Sequence, residues 1–138
     1  MHGAGDHGFV PHLIALAKEK GVSAYIGDGS NRWPAVHRLD AAGLYRMVAE
    51  NGKSGSRYHA VDETGVPFRD IAQVIGQQLD LPVVSKSGDE AAAHFSWFTH
   101  FASLDAPSSS ELTRNELGWK PCQTGLLKDM VEADYFMR

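Results

Sequence analysis

Gly27-Asp28-Gly29-Ser30-Asn31-Arg32-Trp33-Pro34-Ala35-Val36-His37-Arg38-Leu39-Asp40-Ala41-Ala42 follows the apolar run Ala24-Tyr25-Ile26 and opens on a tight Gly-Asp-Gly reversal. Gly27 and Gly29 can take positive φ without Cβ strain, so a sharp turn is cheap here. Pro34-Ala35-Val36-His37 re-enters as a short extended piece. Pro34 has no amide donor and suits an edge position or the first residue of a strand. Asp40 is then the expected N-cap of a helix over residues 41–50. Turn, strand and helix leave Arg32, Trp33 and His37 on irregular backbone, where binding chemistry usually sits.

Outward from this stretch the chain alternates helices and short apolar runs. Phe9, Val10, Leu13, Ile14 and Ala17 mark a first helix that ends near Gly21, before the apolar run Val22–Ile26. Leu44, Tyr45, Val48 and Ala49 share a face of the helix after Asp40, and Asn51-Gly52 closes it. Arg57-Tyr58-His59-Ala60-Val61 reads as a strand of a covered parallel sheet. Pro67 opens the clearest helix, with Phe68, Ile71, Ala72, Ile75 and Leu79 on one stripe. Pro82-Val83-Val84-Ser85 is a short strand, and Asp89–Leu104 a helix rich in alanine and aromatic residues. A short helix over Leu112–Leu117 stops at Gly118, and Leu126, Leu127, Met130, Val131 and Tyr135 stripe a terminal helix.

The 138 residues, with 43% hydrophobic and 22% charged, suit one soluble domain with a usable core. A net charge of −4 gives no reason to expect a nucleic-acid partner. No apolar run approaches the ~20 residues of a membrane span, so no membrane partner is expected. Without a basic, apolar, small-residue succession at the start, a cytoplasmic location is the expectation. The single cysteine, Cys122, can form neither an internal disulfide nor a cysteine metal site, and it is read as inert.

Gly3-x-Gly5-x-x-Gly8, with Asp28 further on, imitates a dinucleotide fingerprint. That fingerprint needs a buried strand leading into the turn, and only Met1 and His2 precede it here. Asp6 and His7 are also bulky where backbone should hug a pyrophosphate. A glycine-rich surface loop is the favoured reading. His2, His7 and His12, five residues apart, do not share a helix face, so no metal site is expected. His59 is read as a sheet residue, His94 and His100 as helix-surface positions, and the aromatic cluster Phe95–Phe101 as core.

Four segments in order resemble the extended short-chain dehydrogenase/reductase superfamily of the NAD-dependent epimerase/dehydratase type. Met1-His2-Gly3-Ala4-Gly5-Asp6 is similar to the "V-Y-G-P-G-D" segment after the sixth sheet strand. Gly27–Ala42 is similar to "G-x-G-x-x-R…V-H-V-x-D-x-A". Tyr58-His59-Ala60-Val61 followed by Val66–Ala72 resembles "Y-N-V…V-S-x-x-E-L-A", and Ser109–Pro121, with Leu117-Gly118-Trp119-Lys120-Pro121, resembles "L-G-W-x-P". The resemblance implies an α/β fold: the C-terminal part of a Rossmann-like enzyme, with a few short strands and about six helices. Residues 1–138 would form one partial domain, the last sheet strand plus the substrate-binding subdomain.

The family's glycine-rich phosphate loop and Tyr-x-x-x-Lys pair lie upstream of the matched segments. None of the four tyrosines here is followed by lysine at the fourth position. That pair handles the proton and holds the ribose. The resemblance therefore implies a truncated oxidoreductase with no catalytic residue of its own, inactive alone, with NAD(P) implied for the full-length family and none bound by this chain alone. Strand 58–61 would leave a sheet edge open to a partner, a missing N-terminal half or a second copy.

Substrate-binding candidates are Arg32, Trp33 and His37; His2 and Gly3 are cofactor-adjacent. Family members acting on nucleotide sugars place an arginine where Trp33 stands, with Arg32 one step earlier here. Trp33 offers an apolar plate, better suited to a small or hydrophobic carbonyl or alcohol. Against those roles stand plainer ones: His37 bonded to nearby backbone, Arg32 a solvated loop charge, Trp33 simple packing. Two further readings remain: a non-catalytic binding or assembly module derived from the family, and a small cofactor-binding protein using Gly3–Gly8.

Overall fold

Apolar periodicity places most elements of the computed structural model, which describes residues 1–137. In order they are α1 (Phe9–Lys20), β1 (Ser23–Ile26), β2 (Arg32–Ala35), α2 (Arg38–Asn51), β3 (Glu63–Pro67), α3 (Phe68–Leu79) and β4 (Val83–Lys86). There follow α4 (Gly88–Phe95), a 3-10 turn (Ser96–Phe98), α5 (Thr99–Ser103), α6 (Glu111–Leu117), α7 (Leu126–Glu132) and a 3-10 turn over Asp134–Phe136. The fold is α/β with a few short strands, as expected.

The β1 strand pairs with β4 in parallel, Ser23 opposite Val83, so everything from β2 to α3 is the crossover between them. The α3 stripe of Phe68, Ile71, Ala72 and Ile75 is buried against this pair. Burying an aliphatic or Phe side chain contributes about 1.5–3 kcal/mol, so these positions dominate the stability of the layer. Gly76 brings α3 close: a Cβ there would lie 2.3 Å from Val83 Cγ2. Ser23 Oγ donates to Ala72 O at 2.7 Å and locks the same contact.

The β2 strand pairs antiparallel with β3, Trp33 opposite Val66, with an irregularity between Trp33 and Ala35. Pro34 sits there and cannot donate to the ladder, which accounts for the shift. The preceding turn has Gly27 at φ 62° and Gly29 at φ 68°. Asp28 Oδ1 accepts from Ser30 N and Ser30 Oγ at 3.0 and 2.7 Å, closing it.

The main core runs through α1, β1, α3, α4, α5 and α7, and a smaller cluster of Val36, Ala41, Leu44 and Trp119 lies beneath α2. Trp119, from the Leu-Gly-Trp segment, fills that second cluster after Gly118 ends α6 in the left-handed conformation.

Several expectations need correction. Residues 57–61 are not a strand; the strand lies later, at Glu63–Pro67. Their polar backbone is satisfied by α6 instead: His59 N donates to Thr113 Oγ1 at 2.8 Å and Ser110 Oγ donates to Val61 O. His59 is thus a loop residue, its ring nitrogen 3.0 Å from Ser109 O. The sheet edge expected at 58–61 therefore falls away. Asp40 is not an N-cap, because α2 starts earlier on His37, whose ring nitrogen accepts from Leu39 N at 3.2 Å. The helix expected over Asp89–Leu104 is divided where Ser96 adopts φ 51° into α4, a 3-10 turn and α5. His94 is not on the surface but 7% exposed, packed with Ala91 and Phe95 on the inner face of α4.

Candidate functional site

The first residues run alongside the extended end of β2. His2 N donates to Val36 O at 3.0 Å and Arg38 N donates to His2 O at 2.8 Å, a parallel bridge between His2 and His37. This places the two imidazoles edge to face, with centroids 5.3 Å apart. Asp129, from the inner face of α7, reaches both. His2 Nδ1 lies 2.8 Å from Asp129 Oδ2, while His37 Nε2 stands 3.8 Å from Asp129 Oδ1, too far for a hydrogen bond.

Partners define the tautomers. With the ring neutral, His2 Nδ1–H donates to the carboxylate and Nε2 is left as an acceptor. In His37 the Nδ1 lone pair takes Leu39 N, so the proton sits on Nε2, toward Asp129. Tyr135 closes the cluster: its hydroxyl accepts from Gly3 N at 3.0 Å and donates to Asp6 Oδ2 at 3.1 Å. Burial first, and then the Asp6 and Asp129 carboxylates, push the Tyr135 hydroxyl above its ordinary pKa, against the opposing Gly3 amide.

The Gly3–Gly8 loop is thereby folded on itself. Gly3 N is committed to Tyr135, Asp6 N to Gly3 O and Gly8 N to Asp6 Oδ1 at 2.7 Å. These are the donors a phosphate cradle would use. Three of the loop's amides are therefore already engaged by groups of the chain itself.

Beside the cluster opens a cavity of about 500 Å³, within the range typical of small-molecule sites. Phe9, Val10, Trp33, Phe101 and Leu126 supply apolar wall, and His2 and Asp6 supply polar side chains. Trp33 is held rigidly: its Nε1–H donates to Phe101 O at 3.1 Å, and its ring meets Phe68 edge to face at 4.9 Å.

The structure thus brings His2, Gly3, His37 and Trp33 to one region, with His2 and Trp33 in the cavity wall. Arg32 lies apart. Its guanidinium grips Asp105 in a two-point pair at 3.0 and 3.0 Å, and its main-chain N–H donates to the same carboxylate at 2.8 Å. It borders a separate polar depression with Asp28, Ser30 and Asn31. The sequence reading did not mark Asp129, Asp6 or Tyr135 as site residues. The one available signal was an acidic residue between Leu126 and Met130 on an otherwise apolar helix face.

No family model matches the chain. Two curated relatives are each 54% identical to it: Uncharacterized protein C2A9.02 of Schizosaccharomyces pombe over 136 residues and Uncharacterized protein YLL056C of Saccharomyces cerevisiae over 135. The alignments cover 99% and 98% of this chain but 46% and 45% of those proteins, so the chain spans about half their length. Among solved structures, the dTDP-glucose 4,6-dehydratase DesIV from Streptomyces venezuelae, with NAD and TYD bound, superposes with TM-score 0.67 at 18% identity. It matches 94% of this chain and 38% of its own. RMD from Pseudomonas aeruginosa, complexed with NADPH, gives 0.59 at 15% identity over 94% of this chain and 40% of that one. What is shared at these identities is the fold, a portion of the Rossmann-like α/β architecture of chains that bind NAD or NADPH.

Proposed function

We propose that this chain is the C-terminal, substrate-gripping portion of an NAD(P)-dependent oxidoreductase of the extended short-chain type, acting on a small or hydrophobic carbonyl or alcohol. The observation that carries the reading is the apolar cavity beside the His2–Asp129–His37 cluster, walled by Trp33 where a nucleotide-sugar enzyme would need a charged grip. The likeness to portions of NAD- and NADPH-binding chains supports the reaction class. The two relatives, about twice as long, supply the reason to expect a further half.

In this reading the cavity binds and orients the reactant, with Trp33 and Phe9 as apolar plates. When bound, the nicotinamide supplies or accepts the hydride. The Tyr-x-x-x-Lys pair and phosphate loop would come from the other half. Mixing this chain with the corresponding first half of a relative, and following nicotinamide absorbance with small ketones and alcohols, tests the reading. Turnover should require both pieces. Turnover by this chain alone, or none with a soluble assembled pair, counts against it.

A second reading, a non-catalytic binding or assembly module, draws support from the continuous core that these residues bury among themselves. A cooperative unfolding transition of a monomer, with no gain in stability on mixing the halves, would favour it.

A further inference from the structure

We propose that the cavity selects a hydroxyl over a carbonyl, through the Nε2 lone pair of His2, and that its ligand is a largely apolar alcohol. The inference rests on the substrate-cavity reading above and names the ligand class that the cavity takes. The polar side chains in the wall decide it. His2 is 3% exposed, and its Nδ1 is spent on Asp129 at 2.8 Å. Its remaining polar atom, on the neutral ring, can only accept. Asp6 also accepts: Oδ1 takes Gly8 N and Oδ2 takes the Tyr135 hydroxyl. The Trp33 indole N–H, the one donor of its kind in the wall, is consumed by Phe101 O. A ligand that brings its own donor satisfies these acceptors. A carbonyl brings a second acceptor and leaves the buried imidazole nitrogen without a partner, which a site of low polarity penalises.

Asp129 acts here as a positioning residue. Its carboxylate accepts the hydrogen bond of His2 Nδ1–H, which fixes the neutral ring in the tautomer whose Nε2 accepts. The rival recognition element is the first turn of α1, where the leading amides of Phe9 and Val10 lie outside the i−4 ladder and border the same cavity. Those amides would favour a carbonyl.

The test compares 1-phenylethanol with acetophenone, matched in shape and differing at the oxygen, titrated into the chain at pH 8. Trp fluorescence and the ¹⁵N resonances of the His2 ring report binding. The alcohol should bind at least about fivefold more tightly, the size expected of one hydrogen bond gained against one acceptor left unpaired. The His2 Nε2 resonance should move with the alcohol and not with the ketone, and His2→Phe should erase the preference. The Nε2 reading on the unsubstituted chain decides the matter even if His2→Phe fails to fold. Equal affinity or a ketone preference overturns the inference while leaving the substrate cavity standing. Binding of neither compound overturns both.

Discussion

The indole N–H of Trp119 donates to the main-chain carbonyl of Asp40 at 3.1 Å, while the Asp40 carboxylate accepts the backbone N–H groups of Cys122 and Gln123 at 3.0 and 2.9 Å. One residue in the first turn of α2 thus binds a segment about eighty positions later by both its backbone and its side chain. Asp40→Ala strips two backbone donors of their acceptor. The expected loss is about 2 kcal/mol, since a charge-assisted bond is worth roughly 1.5–3 kcal/mol. Urea unfolding should show a lower midpoint with unchanged slope.

Asp129→Ala removes the acceptor of His2 Nδ1 and leaves two imidazoles facing each other. A destabilisation of about 2 kcal/mol is expected from one charge-assisted hydrogen bond of the buried type. Amide exchange should accelerate at Arg38 N, which donates to the carbonyl of His2. Unchanged exchange there would detach Asp129 from the anchoring of the first residues.

Tyr135 predicts an alkaline limit. Its folded hydroxyl has a raised pKa, because burial and the neighbouring carboxylates disfavour the phenolate. Its stabilising contribution is therefore complete below the unfolded value near 10 and is lost progressively above it. Tyr135→Phe should flatten this alkaline fall in melting temperature relative to the parent chain.

His94 predicts the acid side. Burial on α4, reinforced by Lys86 and Lys20, lowers its folded pKa. A depressed pKa means its contribution is present above the ordinary histidine value near 6.5 and fades as pH drops through the folded value. His94→Gln, which cannot charge, should lessen the loss of stability between pH 7 and pH 5.

Gly76→Ala forces a Cβ to within 2.3 Å of Val83 Cγ2 and 3.0 Å of Leu81 O. Overpacking of this kind costs typically about 1–3 kcal/mol. Gly43→Ala, in the open middle of α2 with nothing within 4 Å, should instead be neutral or stabilising. Thermal melts of the two variants should move in opposite directions or leave the second in place.

Local chemistry was legible wherever a segment's own residues set its shape. The α1 and α3 stripes are visible as spacings, and the Gly-Asp-Gly turn follows from glycine's access to positive φ, realised at 62° and 68°. The Leu-Gly-Trp segment pointed to a short helix stopping at Gly118. Residues 57–61 misled because small apolar composition says only that a strand is possible. Their hydrogen bonds go to Thr113 and Ser110, more than forty-five positions away.

The sequence by itself determined most of the element types and the α/β class, because hydrophobic period and glycine conformation act over a few residues. Tertiary structure alone decided the site. His2 and Asp129 are separated by 127 positions, and no periodicity links a histidine near one end to an acid in the last helix. Only the packing of α7 beside the His2–His37 bridge gives that histidine its tautomer, and with it the cavity its polar side.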